Sequence, residues 1–151
     1  MITIEDFKIK HSNKVRFIGL DLGSKRIGVS ICDERQSIAT PFKTINKTNT
    51  NELIDQLKMI IKENNIGGLI IGNPLNMDGS LGRSAQSVND VASNISKSID
   101  LPVMLWDERL STVGAFNLSS LLDVNVSKRV KTIDQNAAAF ILQGAIDFLN
   151  N

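Results

Sequence analysis

The sequence predicts one α/β domain, a mixed sheet flanked by helices. Three observations lead there. Short apolar segments from Val15 to Ile45 follow one another as strands, and beyond residue 50 segments with helical spacing alternate with unbroken apolar runs. Strands first, then helix and strand in turn, imply a meander continued by parallel strands. At 151 residues the chain fits a single domain burying about two-thirds of its unfolded surface.

Met1 to Lys14 (MITIEDFKIKHSNK) lacks the apolar stretch of a signal peptide and reads as a short extension, so residues 1–15 are set apart from a main domain over residues 16–151. Val15 to Leu22 and Arg26 to Asp33 are the first two strands. Ser37 to Ile45 is a third, placed at an edge by Pro41. Leu53, Ile54, Leu57, Ile60 and Ile61 recur at helical spacing behind the candidate caps Thr50 and Asn51. The run "GGLIIGNP" does not alternate, as expected of a parallel strand buried on both faces. Ala85, Val88, Val91, Ala92 and Ile95 mark a second helix, and "LPVMLWD" another buried strand. A helix from about Thr112 to Leu122 follows. The last runs from Ile133 to Leu149, its start marked by Thr132 and Gln135 at capping-box spacing.

Composition excludes several classes. Apolar residues make up 42% and charged residues 22%, ordinary globular values, and a net charge of +1 requires any basic surface to be local. The single cysteine, Cys32, leaves no intrachain disulfide and no Cys-rich zinc site. No apolar run approaches about 18 residues, so no membrane partner is expected. A cytoplasmic location follows, with a monomer or weak homodimer both open.

One residue breaks the pattern. In "FIGLDLGSKRIGVSICDE" the carboxylate Asp21 sits inside the first strand. A tight hairpin at "GSKR" would set Leu22 opposite Ile27, Leu20 opposite Val29 and Ile18 opposite Ile31, an aliphatic face. The other face would pair Asp21 with Gly28 and Gly19 with Ser30. Two glycines beside Asp21 imply that something approaches the sheet closely. The plain alternative is a charge that ends its strand.

Two further segments carry acids of the same kind. "WDERLSTVGAF" puts Asp107 and Glu108 at the C-terminal end of a buried strand, where ligands bind in open α/β sheets. Asp134 falls in the first turn expected of the last helix, where a dipole partner is the plain reading. If these acids converge, two carboxylates about 4 Å apart repel by roughly 4 kcal/mol at an effective dielectric of 20, so a cation is needed. All-oxygen ligation selects Mg²⁺ or Mn²⁺, ions that activate water and neutralise a reacting phosphodiester.

Four segments, "FIGLDLGSKRIGVSI", "IIGNPLNMDGSLGRSAQ", "WDERLSTVGA" and "IDQNAAAFILQ", resemble in order the motifs of the YqgF family of pre-16S rRNA nucleases, also called Holliday junction resolvases. The resemblance covers nearly the whole chain from Arg16 to Leu149. It implies a ribonuclease H-like fold with a five-stranded sheet, and a bacterial cytoplasmic nuclease that matures the 5′ end of 16S rRNA. The family's catalytic and metal-binding acids fall on Asp21, Glu108 and Asp134, with Asp107 the less certain neighbour because adjacent strand residues face opposite ways. Related resolvases carry their second acid on the preceding parallel strand, which here ends in Gly72, Asn73 and Pro74.

Candidate substrate contacts surround these acids. The loop "GNPLNMDGSLGR" offers Asn73, Asn76 and Arg83 to a phosphate. Lys25, Arg26 and Arg109 neighbour the acids in sequence, and "SKRVK" gathers Lys128, Arg129 and Lys131 before Asp134. Cations beside each candidate ligand suit a nucleic acid backbone, precursor rRNA or branched DNA. Trp106 and Phe116 read as core, and His11 has no assigned role. Two rivals stand: a catalytically idle nucleic-acid-binding module of the same fold, and an actin-type or sugar-kinase-type ATPase, which would need two such domains.

Overall fold

The computed structural model describes residues 1–10, 14–74, 82–107 and 126–150, and in the last helix it describes side chains from Asn136 onward. His11, Phe116 and the helix expected from Thr112 to Leu122 lie outside the described residues.

Five strands form one mixed sheet: β1 (Arg16–Leu22), β2 (Arg26–Cys32), β3 (Ala39–Asn46), β4 (Ile66–Asn73) and β5 (Val103–Asp107), in the order β3-β2-β1-β4-β5. β1, β2 and β3 are the antiparallel meander, while β4 runs parallel to β1 and β5 parallel to β4. The hairpin register is the one alternation predicts. Ile18 pairs with Ile31, Leu20 with Val29 and Leu22 with Ile27, while Gly19 meets Ser30 and Asp21 meets Gly28. β3 is an edge strand, and Pro41 sits where the β2–β3 register shifts, a position that tolerates a missing N–H.

Among the described residues four helices accompany the sheet: α1 (Ile4–Lys10), α2 (Thr50–Asn64), α3 (Arg83–Ser98) and α4 (Val126–Leu149). α2 is capped one residue earlier than expected. The Asn49 side chain accepts the Glu52 N–H at 2.9 Å, which makes Thr50 the first helical residue. At its other end Asn65 takes the left-handed conformation and returns its N–H to the Ile61 carbonyl. α4 starts well before Ile133. Residues 126–131 (VSKRVK) contain no glycine or proline to stop a helix, so Thr132 and Gln135 are interior positions rather than a capping box.

The sheet separates two apolar clusters. On one face Ile18, Leu20, Val29, Leu69 and Ile71 pack with Leu53 and Leu57 of α2 and with Val88, Ala92 and Ile95 of α3. On the other face Phe17, Ile70, Met104 and Trp106 pack with Ile141, Leu142, Ala145 and Leu149 of α4. The N-terminal extension is folded onto this second face. Phe7 is fully buried, stacks edge-on against Phe17 at 5.1 Å, and occupies the space a side chain at Gly68 would need. Ile2 pairs with Met104 and donates its N–H to the Val103 carbonyl at 3.0 Å, covering part of the outer edge of β5. Among the described residues no helix is long and apolar enough to cross a membrane.

Candidate functional site

Asp21 is half-buried near the C-terminal end of β1, on the face that α4 covers. Its neighbour on β2 is Gly28, and one step beyond the pairing of Leu20 with Ile71 its neighbour on β4 is Gly72. The carboxylate therefore lies between two residues without side chains.

The path of α4 runs toward the same end of the sheet face. Its C-terminal end is tied near the start of β1: Asn150 donates to the Gln36 carbonyl at 2.8 Å, and Gln36 donates to the Val15 carbonyl at 3.0 Å. Farther along, the Ser30 hydroxyl donates to the Ala138 carbonyl at 2.7 Å, beside Gly19. α4 thus runs antiparallel to β1. From Ala138 back to position 134 is one helical turn, about 6 Å. From Gly19 forward to Asp21 is two strand residues, about 7 Å in the same direction. Positions 138, 141, 142 and 145 meet the sheet, and position 134 lies one turn before them along the helix.

The close approach implied by Gly19 is now identified. A Cβ there would lie 2.7 Å from Leu142 Cβ and 2.9 Å from the Ala138 carbonyl oxygen, so the glycine admits the helix rather than a ligand. Ser30 joins this contact and was not singled out from the sequence. Its only signal there was a lone hydroxyl opposite a strand glycine.

The remaining positions divide between the two faces. Alternation puts Asp107 with Val103 and Leu105, and Asn73 with Leu69 and Ile71, on the face of α2 and α3. Asn73 pairs in register with Asp107, both across the sheet from Asp21, and the buried Asn73 Oδ1 has no hydrogen-bond partner among the described residues. Lys25 is exposed in the β1–β2 turn and Arg26 half-buried at the start of β2. Arg83 opens α3 behind the cap residue Gly82. Lys128, Arg129 and Lys131, expected in a loop, occupy the first turns of α4, and Asp134 lies in its third turn rather than its first. At that depth the helix dipole no longer accounts for the acid, because its effect fades within the first turn. Asn76, Glu108 and Arg109 lie outside the described residues. Of the three predicted ligands only Asp21 has a described side chain, and among the described residues no group of three or more His, Cys, Asp or Glu is assembled.

A crevice of about 150 Å³ opens beside the β1–β2 turn on the opposite face, lined by Gly23, Ser24, Lys47, Ser87 and Val91. Sequence patterning did not select Lys47, because the residue is brought there by the end of β3. Cys32 is structural. It is 2% exposed, its Sγ accepts the Phe17 N–H at 3.1 Å, and burial pushes the thiol up to about 11, which keeps it neutral and unreactive.

A mixed sheet in this order, with an acid at the end of its first strand and a long helix crossing above it, defines a ribonuclease H-like α/β fold. The fold is similar to Thermus thermophilus RuvC, solved in complex with a Holliday junction substrate, at a TM-score of 0.54 and 10% identity over 87% of this chain and 93% of that one. It is equally similar to the yeast mitochondrial Holliday junction resolvase Ydc2, at a TM-score of 0.54 and 12% identity over 97% of this chain and 84% of that one. The family model described as "RuvX: Holliday junction resolvase" matches residues 15–148, and the chain belongs to that family. A Pelagibacter ubique protein called "Putative pre-16S rRNA nuclease" is 95% identical over all of both chains. A Sphingopyxis alaskensis protein of the same name is 45% identical over 94% of this chain and 93% of its own length.

Proposed function

We propose that this chain is a metal-dependent nuclease that hydrolyses phosphodiester bonds at the 5′ end of precursor 16S rRNA, with Asp21, Glu108 and Asp134 as its catalytic carboxylates. The observation that supports the reading is the path of α4, which runs antiparallel to β1 and carries position 134 toward the end of the sheet face on which Asp21 lies. Membership of the family and the name borne by the relatives over their full length support the substrate. A second reading, cleavage of branched DNA, is favoured by the family's own description and by the shared fold.

The donor set fits a hard divalent cation. Asp21 supplies carboxylate oxygens from a half-buried position, and no sulfur or imidazole ligand is described near it. Mg²⁺ or Mn²⁺ held by Asp21, Glu108 and Asp134 would supply activation of water and neutralisation of charge on the phosphodiester. The rest falls to the chain's own groups. Lys25 and Arg26, adjoining Asp21 through the turn, offer charge to the substrate backbone, and Asn73, Asn76, Arg83 and Arg109 are further backbone contacts in this reading. Lys128, Arg129 and Lys131 extend the grip along α4. Such contacts fix the register of a nucleic acid without reading its sequence.

The test is a cleavage panel of precursor 16S rRNA, unrelated single-stranded RNA and a four-way DNA junction, each with Mg²⁺ or Mn²⁺ and with chelator. The expected outcome is cleavage of the rRNA precursor that chelator abolishes. Cleavage of the junction alone would transfer the assignment to branched DNA, and binding without cleavage of any substrate would make the chain an idle nucleic-acid module.

A further inference from the structure

We propose that Ser30 is a positioning residue for the nuclease centre, setting the height of α4 above β1 and hence the separation of Asp21 from position 134. The inference rests on the reading of these acids as one metal site. Ser30 is fully buried, and its hydroxyl donates to the Ala138 carbonyl at 2.7 Å while lying 3.3 Å from the Gly19 carbonyl. Ala138 is inside the helix, so its carbonyl already serves the helical ladder and the hydroxyl takes its second lone pair. Packing alone does not call for this bond. Alanine would fill nearly the same space, and a buried hydroxyl is costly unless it is bonded.

Gly19 sets the lower limit of the same contact. A Cβ at Gly19 would fall 2.4 Å from the Ser30 Oγ and 2.9 Å from the Ala138 carbonyl oxygen. The helix therefore rests on bare backbone and is held down by a directional bond. Two described ties of α4, both through Gln143, lie farther from the acids. Gln143 accepts the Ala39 N–H at 2.8 Å and donates to the Ser37 carbonyl at 2.9 Å, both toward the C-terminal end. Ser30 holds the helix one turn from position 134. A displacement at Ala138 is carried through that rigid turn to the acid, and a shift of about 1 Å at reacting groups can reduce rate by about a hundredfold.

The experiment compares the full-length wild type with Ser30→Ala and Gln143→Ala. Mn²⁺ is titrated against the melting temperature and, separately, against cleavage of the rRNA precursor. Ser30→Ala is expected to raise the Mn²⁺ concentration at half-effect by roughly 10- to 100-fold, the range seen when groups supporting metal ligands are removed, and to lower kcat with KM for RNA unchanged. Gln143→Ala should lower the melting temperature while leaving the Mn²⁺ half-effect at the wild-type value. Should the alanine variant melt too low, Ser30→Cys, similar in volume but a weak donor, gives the same readout. A Ser30 variant that loses stability but keeps the wild-type Mn²⁺ half-effect overturns the positioning role and leaves the metal site standing. Absence of any Mn²⁺ response in the wild type overturns both.

Discussion

Asp21 places a charge inside a strand of otherwise apolar residues, and its neighbours on the two adjoining strands are glycines. Asp33, at the opposite end of the β1–β2 hairpin, is an acid of a different kind. The backbone N–H groups of Ile38 and Ser37 and the Ser37 hydroxyl hold its carboxylate, drawing its pKa down to about 2. A depressed pKa means the charged form is favoured by folding, so this contribution is whole above about pH 4 and is lost as pH falls through about 2. Asp33→Asn should therefore lower the melting temperature at pH 6 and approach the wild type as pH is stepped down toward 2.5. An Asn variant equally far below the wild type at every pH would show that the charge is not what orders the turn.

Two elements meet at the candidate centre, and they differ in how much of them the sequence discloses. The β1–β2 hairpin was legible to the residue, because strict alternation around Gly23 and Lys25 leaves one register that puts all the aliphatic side chains on one face. α4 was legible in its apolar stripe and not in its start. Thr132 and Gln135 have capping-box spacing, but that pattern also occurs inside helices, and only a break in the preceding residues would make it a terminus. Asp134 lost its explanation as a dipole partner, because it lies in the third turn. The basic residues changed most, from a loop to helix turns whose spacing is rigid. If Lys128, Arg129 and Lys131 each neutralise a phosphate, their joint replacement by Ala should flatten the salt dependence of log K by roughly 2.7 on duplex, about 0.9 per contact, and by about 2 on single strands. Fluorescence anisotropy across a salt series measures this. A slope equal to the wild type would return these residues to solvated surface, since long-range steering changes association rate more than equilibrium slope.

At the scale of the whole molecule the sheet works as a partition, with α2 and α3 filling one side and α1 and α4 the other. The N-terminal extension belongs to the second side through Phe7, a contact no local pattern announces, because its partners Phe17 and Gly68 are remote in sequence. The strand order puts β1 in the middle of the sheet, flanked by β2 and β4, which gives Asp21 a rigid base. The measurement that tests this arrangement most directly is single-turnover cleavage of precursor 16S rRNA with Mn²⁺ by the wild type and by Asp21→Asn, with thermal melts of both metal-free proteins. The wild type should cleave at the 5′ end. Asp21→Asn should lose cleavage by at least about a hundredfold while melting at or slightly above the wild-type temperature, because removing one carboxylate relieves repulsion in the empty site. An Asp21→Asn protein that cleaves at the wild-type rate would contradict the placement of the catalytic centre at the end of β1.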